Sequence, residues 1–122
     1  MAGLVSKSAL AAQEFKMPVD LSGKRIIITG AATGIGRSTA LRISAAGAKI
    51  AAFDVNDDDA ATTMSDIHES GGDARYWHVD VRDETSVAGA VAAAETWLGG
   101  IDVLIHVAGV LQGAAVELDE FP

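Results

Sequence analysis

Residues Arg25–Gly36 read RIIITGAATGIG, and this stretch constrains the fold more than any other. An apolar run, Ile26 to Ile28, enters a loop with glycines at 30, 34 and 36, and a segment of helical character, Arg37 to Ile43, follows at once. Strand, glycine loop and helix in direct succession form a cradle for a dinucleotide pyrophosphate. The helix start offers unpaired backbone N–H groups and the positive end of the helix dipole. Glycine lets the backbone turn tightly and approach a phosphate without a Cβ in the way. The spacing here is G-x-x-x-G-x-G, which taken alone is also compatible with a simple turn. The next apolar run ends at Asp54, twenty residues after Gly34, where a carboxylate is placed to bind adenosine ribose hydroxyls.

Strand and helix signals alternate along the rest of the chain. The pattern predicts strands at Arg25–Thr29, at Lys49–Phe53 ending at Asp54, at Ala74–Val79 and at Asp102–Val107. Helices are predicted at Gly34–Ala46, at Asp57–Ser70 capped by Asn56, and from a cap at Asp83 or Thr85 through about Trp97. Asp57, Asp58 and Asp59 read as a helix-start charge run rather than a metal cluster, because the dipole favours anions there. Trp77 and Trp97 read as packing residues, and the nearly all-apolar DVLIHV run reads as a strand buried on both faces. The β-α-β-α-β-α-β order predicts an α/β fold, a doubly wound parallel sheet ordered 3-2-1-4. That order brings the glycine loop, Asp54, Asp80 and Ala108-Gly109 to one sheet edge.

Composition narrows the functional classes. A formal net charge of −8 argues against nucleic acid or an anionic membrane as partner. The absence of cysteine excludes disulfides and thiolate chemistry, and His68, His78 and His106 lack metal-ligand spacing, so no metal site is expected. No apolar run reaches the roughly 18 residues of a membrane span. Residues 1–20 read as a flexible N-terminal extension without a signal peptide, and a cytoplasmic location is the default expectation.

The run TGAATGIG at Thr29–Gly36, with Asp80-Val81 and the HVAG run at His106–Gly109, resembles the short-chain dehydrogenases/reductases over roughly Leu21 to Pro122. The resemblance implies a Rossmann-like fold and hydride transfer between a nicotinamide cofactor and an alcohol or carbonyl substrate. It implies a cofactor site at Gly30, Thr33, Gly34, Ile35, Gly36, Asp54, Asp80, Val81, Ala108 and Gly109. In it Asp80 meets the adenine amino group, with the Val81 backbone beside it. Thr29 ties the loop to the fourth strand, and Ala108 and Gly109 let the backbone approach the ribose. NADP-preferring members often carry a basic residue before the second glycine or after the second strand. Here those places hold Thr33 and the run DVNDDD from Asp54, so NAD is expected over NADP.

Two departures from the family pattern stand out. Where NNAG is common, this chain has His106 and Val107 in place of the asparagines; inside an apolar strand, His106 reads as a satisfied core histidine that replaces one lost hydrogen bond. The family's general acid/base is a tyrosine with a lysine four residues on, but the one tyrosine here is Tyr76, and residue 80 is aspartate. No catalytic residue is therefore assigned. Residues 21–122 are expected to be the N-terminal, cofactor-binding part of such a domain, truncated after about four strands and lacking the catalytic half, and without that half the Asp102–Val107 strand is expected to become an apolar edge. A small-molecule substrate would be a partner only if that half were supplied. The alternative is a non-catalytic dinucleotide-binding or regulatory module.

Overall fold

The protein is described by a computed structural model over residues 20–107. Expectations for residues 1–19, for Ala108 and Gly109 and for the rest of the C-terminal stretch lie outside the described residues. Four strands and three helices alternate: β1 Arg25–Thr29, α1 Gly34–Ala45, β2 Lys49–Asp54, α2 Asp57–Glu69, β3 Asp73–His78, α3 Glu84–Leu98 and β4 Val103–His106. The strands are parallel in the order β3-β2-β1-β4, the Rossmann-like arrangement expected from the alternation.

The period-2 pattern of β1 and β2 divides the core between two layers. Ile26, Ile28, Ile50 and Ala52 point to one face, where they meet Ala40 and Ile43 of α1 and Met64 and Ile67 of α2. Ile27, Ala51 and Phe53 point to the other, where they meet Ala90, Ala94 and Leu98 of α3. Both central strands are thus buried on both sides, as a doubly wound sheet requires. Phe53, Trp77 and Trp97 form an edge-to-face series on the α3 side, with centroid spacings of 6.1 and 5.8 Å.

The helix ends follow local chemistry. The Asn56 side chain caps α2 by accepting the Asp59 N–H, and the three aspartates occupy its first turn. Asp83 caps α3 by accepting the N–H groups of Thr85 and Ser86. That helix stops at Gly99, which takes a left-handed φ of 80°.

β4 departs from the doubly buried reading and forms an apolar edge. The sequence reads as a doubly buried strand, yet Val103 is 41% and Leu104 61% exposed. The physical reason is position: β4 pairs with β1 on one side only, and among the described residues no strand lies beyond it. His106 is likewise exposed rather than a core residue, although its Nδ1 lies 2.7 Å from Thr29 Oγ1 and so makes the expected hydrogen bond.

A polar clamp fixes β4 against β1. Arg25 donates from Nε and Nη2 to the two carboxylate oxygens of Asp102, each at 3.0 Å, and from Nη1 to the Gly99 carbonyl at 2.6 Å. The Arg25 backbone N–H adds a fourth bond, to Asp102 Oδ2. Hydrogen bonds from the Arg25 side chain, then its backbone N–H, hold the Asp102 carboxyl at about 2, below the ordinary 3.8. A depressed carboxylate stabilises the fold above its unfolded pKa and loses that contribution as pH falls through the folded one. The melting temperature is therefore expected to drop between about pH 4 and pH 2. Asp102→Asn should shrink that drop. Asp80, held at about 2 by hydrogen bonds from Arg82, titrates in the same window. Its partner side chain is 83% exposed, so Asp80→Asn should shrink the drop less. Acid melting curves of the three proteins check both statements.

Candidate functional site: the glycine loop and the strand ends around it

All four strands run in one direction, so their carboxyl ends share an edge. The loop leaving β1 is pinned to β2 there: the Gly30 N–H donates to the Phe53 carbonyl at 2.8 Å, and the Ala32 N–H donates to Asp54 Oδ2 at 2.9 Å. Asp54 Oδ1 accepts the N–H groups of Val55 at 2.7 Å and Asn56 at 3.1 Å. One carboxylate thus joins the glycine loop to the turn between β2 and α2. Neither its position nor the Ala32 contact follows from composition; the spacing from the glycines located Asp54, and nothing in the sequence signalled Ala32.

The three glycines have different duties. Gly30 and Gly34 adopt positive φ values of 74° and 57°. A Cβ on Gly34 would meet nothing within 4 Å, so its face opens onto free space in front of the loop. A Cβ on Gly36 would lie 1.7 Å from the Gly30 carbonyl oxygen, so here glycine is needed for close packing of helix on loop.

The start of α1 differs from the other two helix starts. Thr33 occupies the cap position in an extended conformation without a side-chain cap bond, and the first turn holds no acidic residue. Ile35 is 76% exposed beside it. The helix dipole at this end is therefore not offset by a carboxylate of its own first turn, in contrast to α2 and α3. An uncapped helix start, a glycine face with room in front of it and a carboxylate one hydrogen bond from the loop fit the pyrophosphate and ribose of a dinucleotide.

Of the remaining expected residues, Asp80 and Val81 lie at the same edge. The Val79 N–H donates to the Asp54 carbonyl at 2.9 Å, which seats Asp80 and Val81 just beyond. The Asp80 carboxylate takes two side-chain hydrogen bonds from Arg82, each at 3.0 Å. Thr29 ties β1 to β4, its Oγ1 accepting the Val107 N–H at 3.1 Å. Tyr76 does not resemble a catalytic tyrosine. Its single hydroxyl proton is shared between the Asp54 carbonyl and the Asp57 carboxylate, and burial, followed by Asp57, pushes the phenol pKa well above its ordinary value. His78 donates to the same Asp57 oxygen from Nδ1 at 2.8 Å. No sequence spacing signals this Asp57–Tyr76–His78 group, because helix start and strand meet only in the fold.

Residues 24–121 match the short chain dehydrogenase family. The chain belongs to that family. It is 39% identical over 102 residues to the uncharacterized oxidoreductase YxbG of Bacillus subtilis, covering 84% of this chain and 37% of YxbG. It is also 39% identical to the NAD(+)-dependent 2-dehydro-3-deoxy-L-rhamnonate dehydrogenase of a Sphingomonas species, covering 83% of this chain and 39% of that protein. Among solved structures, an NAD+-bound xylitol dehydrogenase superposes with a TM-score of 0.68 at 35% identity, over 70% of this chain and 33% of its own. The chain therefore spans about two fifths of the length of the curated relatives it matches. This is a family of oxidoreductases that bind a nicotinamide cofactor. Among the described residues, no helix is long and apolar enough to cross a membrane.

Proposed function

We propose that the intact protein is an NAD-dependent dehydrogenase or reductase of small alcohols or carbonyls, and that the residues described here form its dinucleotide site. The observation that carries this reading is the glycine loop held to Asp54 in front of the uncapped start of α1. The N–H groups of Gly34, Ile35 and Gly36 face the pyrophosphate, Asp54 takes the adenosine ribose hydroxyls, and Asp80 with Val81 borders the adenine. Ala108 and Gly109 border the ribose on the family pattern. The bound nicotinamide supplies the hydride chemistry.

Preference for NAD over NADP rests on charge. The Asp54 carboxylate repels a 2′-phosphate, and Thr33 places no cation before the second glycine. Arg37, the basic residue next to the loop, is spent on Thr63 and Asp66. Titration of the protein with NADH and NADPH is expected to show tighter binding of NADH; tighter NADPH binding would sink the assignment. The sequence Met1–Pro122 holds no Tyr-x-x-x-Lys, and Tyr76 is bound up elsewhere. Residues 1–122 alone are therefore expected to bind cofactor without turning over any of a panel of alcohols and ketones, an outcome checked by following NADH absorbance.

A further inference from the structure

Thr63, in the middle of α2, is fully buried. A buried hydroxyl needs partners, and it has one proton and two lone pairs to satisfy. Its Oγ1 lies 3.2 Å from the Ala32 carbonyl oxygen, 3.1 Å from the Asp59 carbonyl oxygen and 2.9 Å from Arg37 Nη1. A guanidinium only donates, so Arg37 takes a lone pair and the hydroxyl proton is shared between the two carbonyls. The Arg37 guanidinium charge beside the oxygen polarises the O–H and strengthens its donation. A threonine that merely bonds back to the carbonyl four residues earlier would need neither Arg37 nor Ala32.

The partners come from the parts of the proposed site. Arg37 directly follows Gly36 on α1, and its other arm is held by Asp66 of α2. Ala32 lies in the glycine loop and is 2% exposed. Its N–H is taken by Asp54 and its C=O by Thr63, so the middle of the loop is gripped from β2 and from α2 at one residue. The grip involves only the protein's own groups, so the loop is held in place before any ligand arrives.

We propose that Thr63 is a positioning residue of the dinucleotide site. It fixes the glycine loop in its receiving shape, and the Arg37–Asp66 pair reinforces that hold. A loop that is ordered beforehand spends less binding free energy on ordering when the ligand binds. The proposal rests on the dinucleotide reading above, and it names residues that touch no cofactor themselves.

The test is calorimetric titration of the intact gene product with NADH. Melting temperature and amide exchange of residues 30–36 are measured on the same proteins without cofactor. Thr63→Val keeps the shape and removes the hydroxyl; it is expected to weaken NADH binding about ten-fold and to speed exchange in the loop, the loss of one well-placed hydrogen bond. Thr63→Ser restores the donor and should bind within about two-fold of the unmutated protein. Asp66→Asn, at a partly exposed position, leaves Thr63 in place and should weaken binding about three-fold through Arg37; it keeps the test open if Thr63→Val does not fold. Unchanged NADH affinity and loop exchange in Asp66→Asn and in folded Thr63→Val would overturn the positioning role. So would Thr63→Ser binding as weakly as Thr63→Val. Absence of NADH binding by the unmutated protein would instead overturn the dinucleotide reading itself.

Discussion

Replacing Gly36 by valine is expected to abolish dinucleotide binding and to lower stability at the same time, whereas Gly34→Ala should lose binding with the fold largely intact. The two glycines stand two residues apart, and the difference is steric. At position 36 a Cβ would sit 1.7 Å from the Gly30 carbonyl oxygen, and the nearby Gly30 carbon and Ala31 Cα leave it no way round. The loop must shift away from α1, which costs about 1–3 kcal/mol as overpacking and separates the loop from the α1 N–H groups proposed to take the pyrophosphate. At position 34 a Cβ meets no protein atom, but its φ of 57° costs about 1–2 kcal/mol for a side-chain-bearing residue. The methyl then projects into the space the phosphates would use. Melting temperature and NADH titration, measured together on both variants, check this. The picture fails if Gly36→Val binds NADH as the unmutated protein does, or if Gly34→Ala binds normally.

Asp54→Ala should produce the second large effect, a drop of about ten- to a hundred-fold in NADH affinity, as expected when hydrogen bonds to a charged group are lost. NADPH affinity should fall less, because the change also removes the charge that repels a 2′-phosphate. Part of the loss is structural: the Ala32, Val55 and Asn56 N–H groups all donate to this carboxylate. Asp54→Asn separates the contributions. It keeps an acceptor for the loop and removes the charge, so it should narrow the NADH-to-NADPH ratio with a smaller loss of NADH affinity. Parallel titrations with both cofactors check the ordering, and an unchanged ratio in both variants would contradict a selective role for Asp54.

The loop and Asp54 were legible in the sequence because local chemistry fixes them. Three glycines between an apolar run and a helix admit few backbones, and the crossover length places the next strand end beside the loop. Helix limits were legible to within a residue where Asn56 and Asp83 cap or Gly99 stops them. The apolar pattern of β4 reports what the strand could bury, whereas its exposure as an edge depends on what lies next to it, and was foreseen only for a chain without the further strands of the complete fold. His106 was misread as a core residue for the same reason, although its hydrogen-bonding role was foreseen. The Arg37–Thr63–Asp66 contacts join positions 26 and 29 residues apart. No local periodicity shows which face α2 turns toward α1. Asp57, read as a dipole-favoured helix start, also serves Tyr76 and His78 across the sheet edge.

The aromatic residues are sorted by layer. Trp77 and Trp97 pack with Phe53 on the α3 side, whereas Tyr76, the one tyrosine, packs against the core shared by α1 and α2. Neighbours in sequence thus carry different chromophores into opposite halves of the molecule. Tryptophan emission senses the docking of α3, and tyrosine absorbance senses the layer next to the glycine loop. If the two layers melt as one, both signals follow a single denaturation curve. If the loop-bearing layer of residues 1–122 loosens first, their tyrosine signal moves ahead of their tryptophan signal, and the spectroscopy of these residues alone reads out which layer gives way without any added label.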